Sequence, residues 1–413
     1  MPFKMQKLLQ INVCNNIFST GKIVGEIGDE AIKNGWESYI VYGREYLPSN
    51  SVDIKIGNKL EQMAHVLESR VFDNTGLGCG SILATKALIG HIKRIKPDII
   101  HLHVLSGYYV NIRRLMKFLR TLDIPIVWTF HSCWEFTGHC THYDYERCYK
   151  WRELCHDCPL YKEYPQSWFW DNSKNNYNLK KKLFLSLKNL HIVTVSKWLK
   201  SQVENSFFKG QDVTAIYNGI DVELFKPLGR KEELKQKFGF GNKKVLIALA
   251  SMWLPKKGIN DYMALAKALE SEDVLIVLVG YKPKDQEELP SNVMARPVTT
   301  NRQELVELYN AADAVLNLSY EESFGLTTVE GLSCGTPAIV YDRTASPELV
   351  DESSGIVVKA GDIKSLRSAV QEVLSKGEDK FAEPCRERAV TYFDKKSTYK
   401  NYVTLYSRLV NRE

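Results

Sequence analysis

The stretch ESFGLTTVEGLSCGTP, residues 322–337, sets Glu322 and Glu330 on either side of a run of small residues. An ionised carboxylate can accept a hydrogen bond on each oxygen, so Glu330 is suited to gripping a vicinal diol such as a ribose. Gly325 and Thr327 read as a helix start. The amides of Phe324, Gly325, Leu326 and Thr327 would then lie at the positive end of a helix dipole, which is a seat for phosphate. Glu322, in the loop ahead of that helix, would stand nearer a reacting group. The plain alternative is two glutamates on a solvated helix.

Other residues extend the pattern. SMWLPKKG places Lys256 and Lys257 at a strand-to-helix turn, where they could neutralise a diphosphate or simply lie on the surface. His131, in WTFHS, ends a strand, and an imidazole there can hydrogen-bond a hydroxyl or serve as a satisfied structural histidine. NIFSTGKI reads as a small-residue loop before a helix, in which Thr20 and Gly21 would let the backbone approach a ligand. Without a full G-x-G-x-x-G it is no dinucleotide fingerprint. His101 and His103 alternate in IIHLHV and so share one face of a strand, with His101 read as structural.

Five of the nine cysteines crowd into residues 133–158. Cys140, Cys148, Cys155 and Cys158 follow C-x7-C-x6-C-x2-C, interleaved with His139, His142 and His156. Three states are open to them: a structural zinc, for which CHDC supplies half a site; unpaired thiols; or disulfides, which a cytosolic setting disfavours. The same insert is rich in aromatics from Tyr143 to Trp170. They suit stacking on sugar rings or lying at a membrane interface, or they pack the insert onto its domain.

Elements must hold these residues in place. KLLQINVC, ESYIVYG, DIIHLHVL, IPIVWTFHS and HIVTVS are short β-branched runs separated by segments with helical spacing. KVLIALAS, VLIVLVGY, AVLNLS, PAIVY and GIVV resume the alternation after the Asn-Gly and Pro of YNGIDVELFKP. Such alternation predicts parallel sheets covered on both faces, and 413 residues exceed what one core fills. The expected fold is α/β, with two doubly wound Rossmann-like domains facing a central cleft. Their expected bounds are 1–220, carrying the cysteine- and aromatic-rich insert at about 133–172, then 221–390, and a last segment 391–413.

The bulk numbers exclude several classes. No run of eighteen apolar residues is present and the N-terminal apolar run is too short for a signal peptide, so a cytoplasmic protein without a membrane span is expected. Net charge is +6, but residues 172–203 hold seven lysines and no acid. That stretch reads as a solvated helix face or as attraction to an anionic membrane or phosphorylated acceptor. NIRRLMKFLRTL alternates arginine and lysine with apolar residues as a surface helix does. Nucleic acid is not an expected partner, since the insert is not predominantly basic.

With these pieces together, the chain resembles glycosyltransferase family 4, the retaining nucleotide-sugar transferases of GT-B fold. The residues that carry the resemblance are STGKIVGEIG, TFHS, YNGID, PKKG and, most specific, the E-x7-E of the opening stretch with its CGTP. WTFHSCWEFTGHC and the cysteines after it are similar to a bacterial group from capsule, colanic-acid and O-antigen clusters. The resemblance implies Glu330 on the nucleotide ribose, Lys257 on the diphosphate, and Glu322 and His131 at the donor sugar, the last three forming the catalytic set. It further implies Gly21 near the phosphates, Val298 near the base, and a final helix crossing back to the first domain. Two departures stand out: Met252 occupies a position where arginine is usual, with Lys256 as its substitute, and Ser132 replaces a common Asp or Asn.

The implied reaction moves a hexose or N-acetylhexosamine from a UDP-sugar, or a GDP-sugar, to a lipid-diphosphate-linked oligosaccharide in surface-polysaccharide assembly. Retention of configuration and peripheral contact with the inner membrane go with it. No D-x-D element is present for a divalent cation, so no catalytic cofactor is expected. A carbohydrate- or nucleotide-sugar-binding protein without turnover is the other reading.

Overall fold

The computed structural model describes residues 5–283, 288–299 and 301–411. The chain divides into two units, Met1–Tyr217 with Lys396–Glu413, and Asn218–Lys395. These divisions fall within a few residues of the expected ones at 220/221 and 390/391. Local pairing fixes them: Ile220 N–H donates to Phe393 O at 2.8 Å and Lys395 N–H to Ile220 O at 2.9 Å, so the two connecting strands bind each other. Gly219 makes this possible, because a Cβ there would fall 2.4 Å from Lys395 Cα.

The first unit runs β1 (Lys7–Asn12), α1 (Phe18–Lys33), β2 (Glu37–Tyr42), β3 (Val52–Lys55), α2 (Lys59–Phe72), α3 (Ile82–Ile95) and β4 (Ile99–Leu102). It continues with α4 (Ile112–Leu119), β5 (Ile126–Phe130), α5 (Ser173–Phe184), β6 (Leu190–Thr194), α6 (Lys197–Glu204) and β7 (Asp212–Ala215). All seven strands are parallel, in the order β3-β2-β1-β4-β5-β6-β7. β5 and β6 are buried at every residue, which is why they read as continuous apolar runs. α4 turns Ile112, Leu115, Met116 and Leu119 inward, and the Asn111 side chain caps its first turn by accepting from Arg114 N–H at 3.0 Å.

The second unit holds α7 (Lys231–Phe238), β8 (Lys244–Leu249), α8 (Ile259–Ala268), β9 (Val274–Val279), β10 (Val293–Arg296), α9 (Arg302–Ala311) and β11 (Ala314–Asn317). After these come α10 (Leu326–Ser333), β12 (Ala338–Tyr341), β13 (Gly355–Val358), α11 (Ile363–Lys376) and α12 (Glu378–Phe393). Its six parallel strands are ordered β10-β9-β8-β11-β12-β13. Each sheet therefore reverses its winding once, between β1 and β4 and between β8 and β11. Ligands of doubly wound sheets bind at the carboxyl ends of such strands.

The last helix, α13 (Lys395–Asn411), returns to the first unit, where Tyr399, Tyr402 and Tyr406 pack with Leu8, Ile27, Ile99 and Val127. One helix start differs from the sequence reading. FSTG belongs to α1 and not to the loop before it, so the β1–α1 connection is shorter than expected.

Candidate functional site

The second unit builds its site where its sheet reverses. Tyr262, buried on α8, donates its hydroxyl to Leu316 O at 2.9 Å and accepts from Leu318 N–H at 3.1 Å, which fixes the end of β11. Gly258, at φ +79°, lets the lysine turn lie directly on this loop, because a Cβ would meet Leu318 O at 2.2 Å. Lys257 Nζ then reaches Glu322 Oε1 at 2.7 Å and donates to Glu321 O at 3.2 Å. Lys256 Nζ lies 3.8 Å from Oε2 of the buried Glu321. Two cations and two carboxylates thus meet at one point of the sheet edge.

α10 begins four residues past Glu322. Gly325 caps it at φ +111°, a conformation that L side chains rarely adopt, and a Cβ there would also press Leu349. Leu326 and Thr327 open the helix, half-buried, and the Phe324 ring is buried against Phe393. Glu330 follows on the second turn, where its Oε2 accepts the Tyr309 hydroxyl at 2.9 Å. Burial, then the Glu330 charge, pushes the Tyr309 phenol well above its ordinary range, so it stays a donor. Glu322 N–H donates to Thr344 Oγ1 at 2.9 Å, which anchors the loop from its other side. Val298 stands half-exposed over Gly280, at the end of β9 on the same sheet edge. Met252 is exposed.

His131 and Gly21 belong to the first unit. Gly21 lies in the first turn of α1, buried, where a Cβ would touch Cys14 Sγ at 3.0 Å. This corrects its reading as a loop glycine; its bareness serves packing of the β1–α1 turn, whose Asn16 N–H donates to Gly21 O. His131 follows β5 and joins a hydrogen-bonded row. Gln10 Nε2 donates to Val24 O, so its Oε1 accepts from His103 Nε2–H at 3.2 Å. His103 Nδ1 must then accept from His131 Nε2–H, also at 3.2 Å, and His131 Nδ1 is left an acceptor suited to a hydroxyl. Burial pulls the His131 pKa down to about 4, which keeps the ring neutral. His101 is held at both nitrogens, by Tyr406 at 2.6 Å and Thr129 at 2.7 Å.

Sequence reading passed over several residues of these networks. Tyr309 and Thr344 gave no local signal, because each acts on a group far away in the chain, and Gly258 stood in the PKKG motif with no role read for it. Glu135 and Lys180 did leave one, an acid inside the aromatic run CWEF and a lysine at a core-facing helical position. Lys180 is fully buried, unlike the solvated face read into its stretch, and its Nζ donates to Trp134 O at 2.6 Å and Thr137 O at 3.0 Å. Burial lowers its pKa to about 7 and raises that of Glu135, which accepts from Ser132 Oγ, to about 8. Together they hold the loop after His131.

Cys140, Cys148, Cys155 and Cys158 line one small cavity. All nine cysteines are free thiols, and among the described residues no group of three or more His, Cys, Asp or Glu is arranged so that it could hold a metal ion as it stands. In the same insert Tyr143 and Trp151 are buried and pack the segment together, while Trp168, Phe169 and Trp170 remain exposed.

A groove of about 740 Å³ opens at the carboxyl ends of β2 and β3. Its wall is α2, whose Met63 and Leu67 line it and are exposed one helical turn apart. Arg44, Lys55, Lys59 and Arg70 also line it, Arg70 lying over the Trp168 ring. No helix among the described residues is long and apolar enough to cross a membrane.

Comparison with known proteins agrees with this architecture. The family described as Glycosyltransferase Family 4 matches residues 21–224, and the one described as Glycosyl transferases group 1 matches residues 230–391. The chain is 24% identical over 379 residues to the colanic acid biosynthesis glycosyl transferase WcaC of Escherichia coli, covering 87% of this chain and 89% of that one. Among solved structures, a glycosyltransferase from Rickettsia africae superposes with a TM-score of 0.68 at 14% identity, over all of both chains. HepE of Anabaena, in complex with UDP and glucose, superposes with a TM-score of 0.66 at 15% identity, over 98% of this chain and all of that one. Two doubly wound units in this order, each matched along the same chain, make the protein a member of glycosyltransferase family 4 with the GT-B fold.

Proposed function

We propose that the protein transfers a hexose or N-acetylhexosamine from a nucleotide sugar, a UDP-sugar before a GDP-sugar, to a lipid-diphosphate-linked oligosaccharide in surface-polysaccharide assembly. The observation that carries the proposal is the meeting of Lys257 and Glu322 beside the N-terminus of α10, at the reversal point of the second sheet. A departing nucleoside diphosphate needs fixed positive charge, which Lys256, Lys257 and the α10 amides offer without a metal. Glu330, oriented by Tyr309, is placed to accept from ribose hydroxyls. Glu322 is the contact proposed for the sugar in the second unit, and His131, in the first, offers an acceptor nitrogen to a hydroxyl.

Retention of configuration follows in this reading if the acceptor hydroxyl attacks from the leaving group's face and the donor phosphate takes its proton. No protein base is then required. HepE's complex with UDP and glucose supports the choice of UDP, and WcaC's description as a colanic acid biosynthesis glycosyl transferase supports the pathway class. The α2 groove supports a lipid-linked acceptor, with apolar residues for an isoprenoid-like chain and four basic ones for its diphosphate. It also supports peripheral contact with the cytoplasmic face of the inner membrane.

The test is a thermal-shift screen of UDP- and GDP-sugars, since a ligand of the folded state raises its stability by mass action. The stabilising donor is then offered to a lipid-linked oligosaccharide, with and without chelator, and the anomeric configuration of the product read by NMR. Stabilisation by UDP-sugars and an α-linked product from an α-linked donor are expected. Stabilisation without any transfer would make the protein a binding module and end the enzymatic reading.

A further inference from the structure

We infer that Cys140, Cys148, Cys155 and Cys158 bind one structural zinc ion, which fastens the insert to the loop that carries His131. The four residues come from separate points of the insert and line a single cavity. The cavity among them is only about 10 Å³, room for one ion and too little for an iron–sulfur cluster. Four thiolates around one small cation is the donor set zinc favours.

Two backbone features and one lysine frame these sulfurs. Gly138 N–H donates to Cys155 Sγ at 3.2 Å, and Gly138 has to be glycine, because a Cβ would meet Ser173 O at 2.3 Å and Cys155 Cβ at 2.7 Å. The Cys155–Cys158 turn passes through Asp157 at φ +42° and is closed by Lys150 Nζ, which donates to His156 O and Asp157 O at 3.0 Å each. Lys150 also lines the cavity, so a cation stands beside the doubly negative centre that four thiolates and one Zn²⁺ make. The nearby imidazoles are engaged elsewhere: His139 with Asp73 at 2.7 Å and His156 with Asp157 at 2.8 Å. As they stand the four cysteines do not form a group that could hold a metal ion, so binding requires their side chains to turn toward one another. Binding releases four protons to solvent as the four thiols become ligands.

The site would act on the loop after His131. That loop returns on itself through Cys133 N–H to Thr141 O at 2.8 Å and Thr137 Oγ1 to Cys140 O at 2.5 Å. An ion on Cys140 ties it to the far end of the insert. This inference does not rest on the transferase reading.

The experiment is elemental analysis of the full chain purified without chelators, alongside Cys155→Ala/Cys158→Ala and, as a control outside the cavity, Cys79→Ala. About one zinc per chain is expected in the wild type and in Cys79→Ala, and under about a tenth in the double variant. Should the double variant not fold, cobalt substitution of the wild type must give the thiolate-to-metal and ligand-field bands of a tetrahedral sulfur site. Less than about three tenths of a zinc per chain, both as isolated and after the reduced protein is dialysed against zinc, overturns the inference. So does a thiol titration in denaturant and chelator that finds fewer than the nine cysteines until reductant is added, which would mean disulfides.

Discussion

Lys257 Nζ lies 2.7 Å from Glu322 Oε1, a contact between the turn after β8 and the loop after β11. Both side chains are partly exposed, so the pair adds only about 0–1 kcal/mol to folding. Its consequence is positional: the cation nearest the proposed diphosphate and the carboxylate nearest the proposed sugar hold each other in place. Lys257→Ala is expected to lower kcat/KM by about 100-fold or more, the size of losing one transition-state stabiliser. Steady-state kinetics of Lys257→Ala, Glu322→Ala and the double variant check it, the double falling short of the product of the singles because the residues act together.

Glu330 and Tyr309 should separate into a contact and its positioner. Glu330→Ala is expected to cost about 100-fold or more in kcat/KM. Tyr309→Phe removes one hydrogen bond to a carboxylate and should raise the donor KM by roughly 5- to 10-fold with kcat nearly kept. A Tyr309→Phe loss confined to kcat would contradict this division.

Gly258→Ala tests the turn beneath the lysines. A side chain at φ +79°, 2.2 Å from Leu318 O, forces the turn off its neighbouring loop. A loss of about 2 kcal/mol or more in unfolding free energy is expected, with activity falling toward that of Lys257→Ala. Chemical denaturation and kinetics on the same preparation read both effects.

Acid should destabilise the first unit through its histidines. Burial holds the folded pKa of His131 at about 4, below the ordinary 6.5, so between these values the unfolded chain binds more protons. Its contribution is therefore complete above pH 6.5 and is lost as pH falls through about 4. His101, lowered by burial and then by His131, and His103, lowered by burial and then by its two neighbours, act in the same sense. Melting curves from pH 7 to 4 should show the decline, and His131→Gln should make it shallower.

The α2 groove predicts a selective acceptor defect. Lys59→Glu and Met63→Glu, both at solvent-facing positions, should each raise the KM for a lipid-linked acceptor by about 5-fold or more. Donor binding by thermal shift should not change. Equal acceptor KM values in both variants would remove the groove from the acceptor path.

How much was legible beforehand follows from burial. The central strands of both sheets, β1, β4, β5, β8, β9, β11 and β12, are covered on both faces and announce themselves as apolar runs. β3, β7 and β10 did not, being short edge strands with half-exposed residues and no such run. The helix start at Phe18 was hidden by FSTG, whose small polar residues favour turns locally but are carried into α1 by packing under Cys14.

By itself the sequence determined the alternation of strand and helix, the two α/β units and the chemical types at the strand ends, because these depend on local periodicity and on residues a few positions apart. Only the tertiary structure decided that Lys257 meets Glu322, that Tyr309 orients Glu330, that Gln10 sets the tautomer of His131 through His103, and that four cysteines share one cavity. Those pairings join residues up to about a hundred positions apart, and no local pattern encodes which strand ends a parallel sheet will bring side by side.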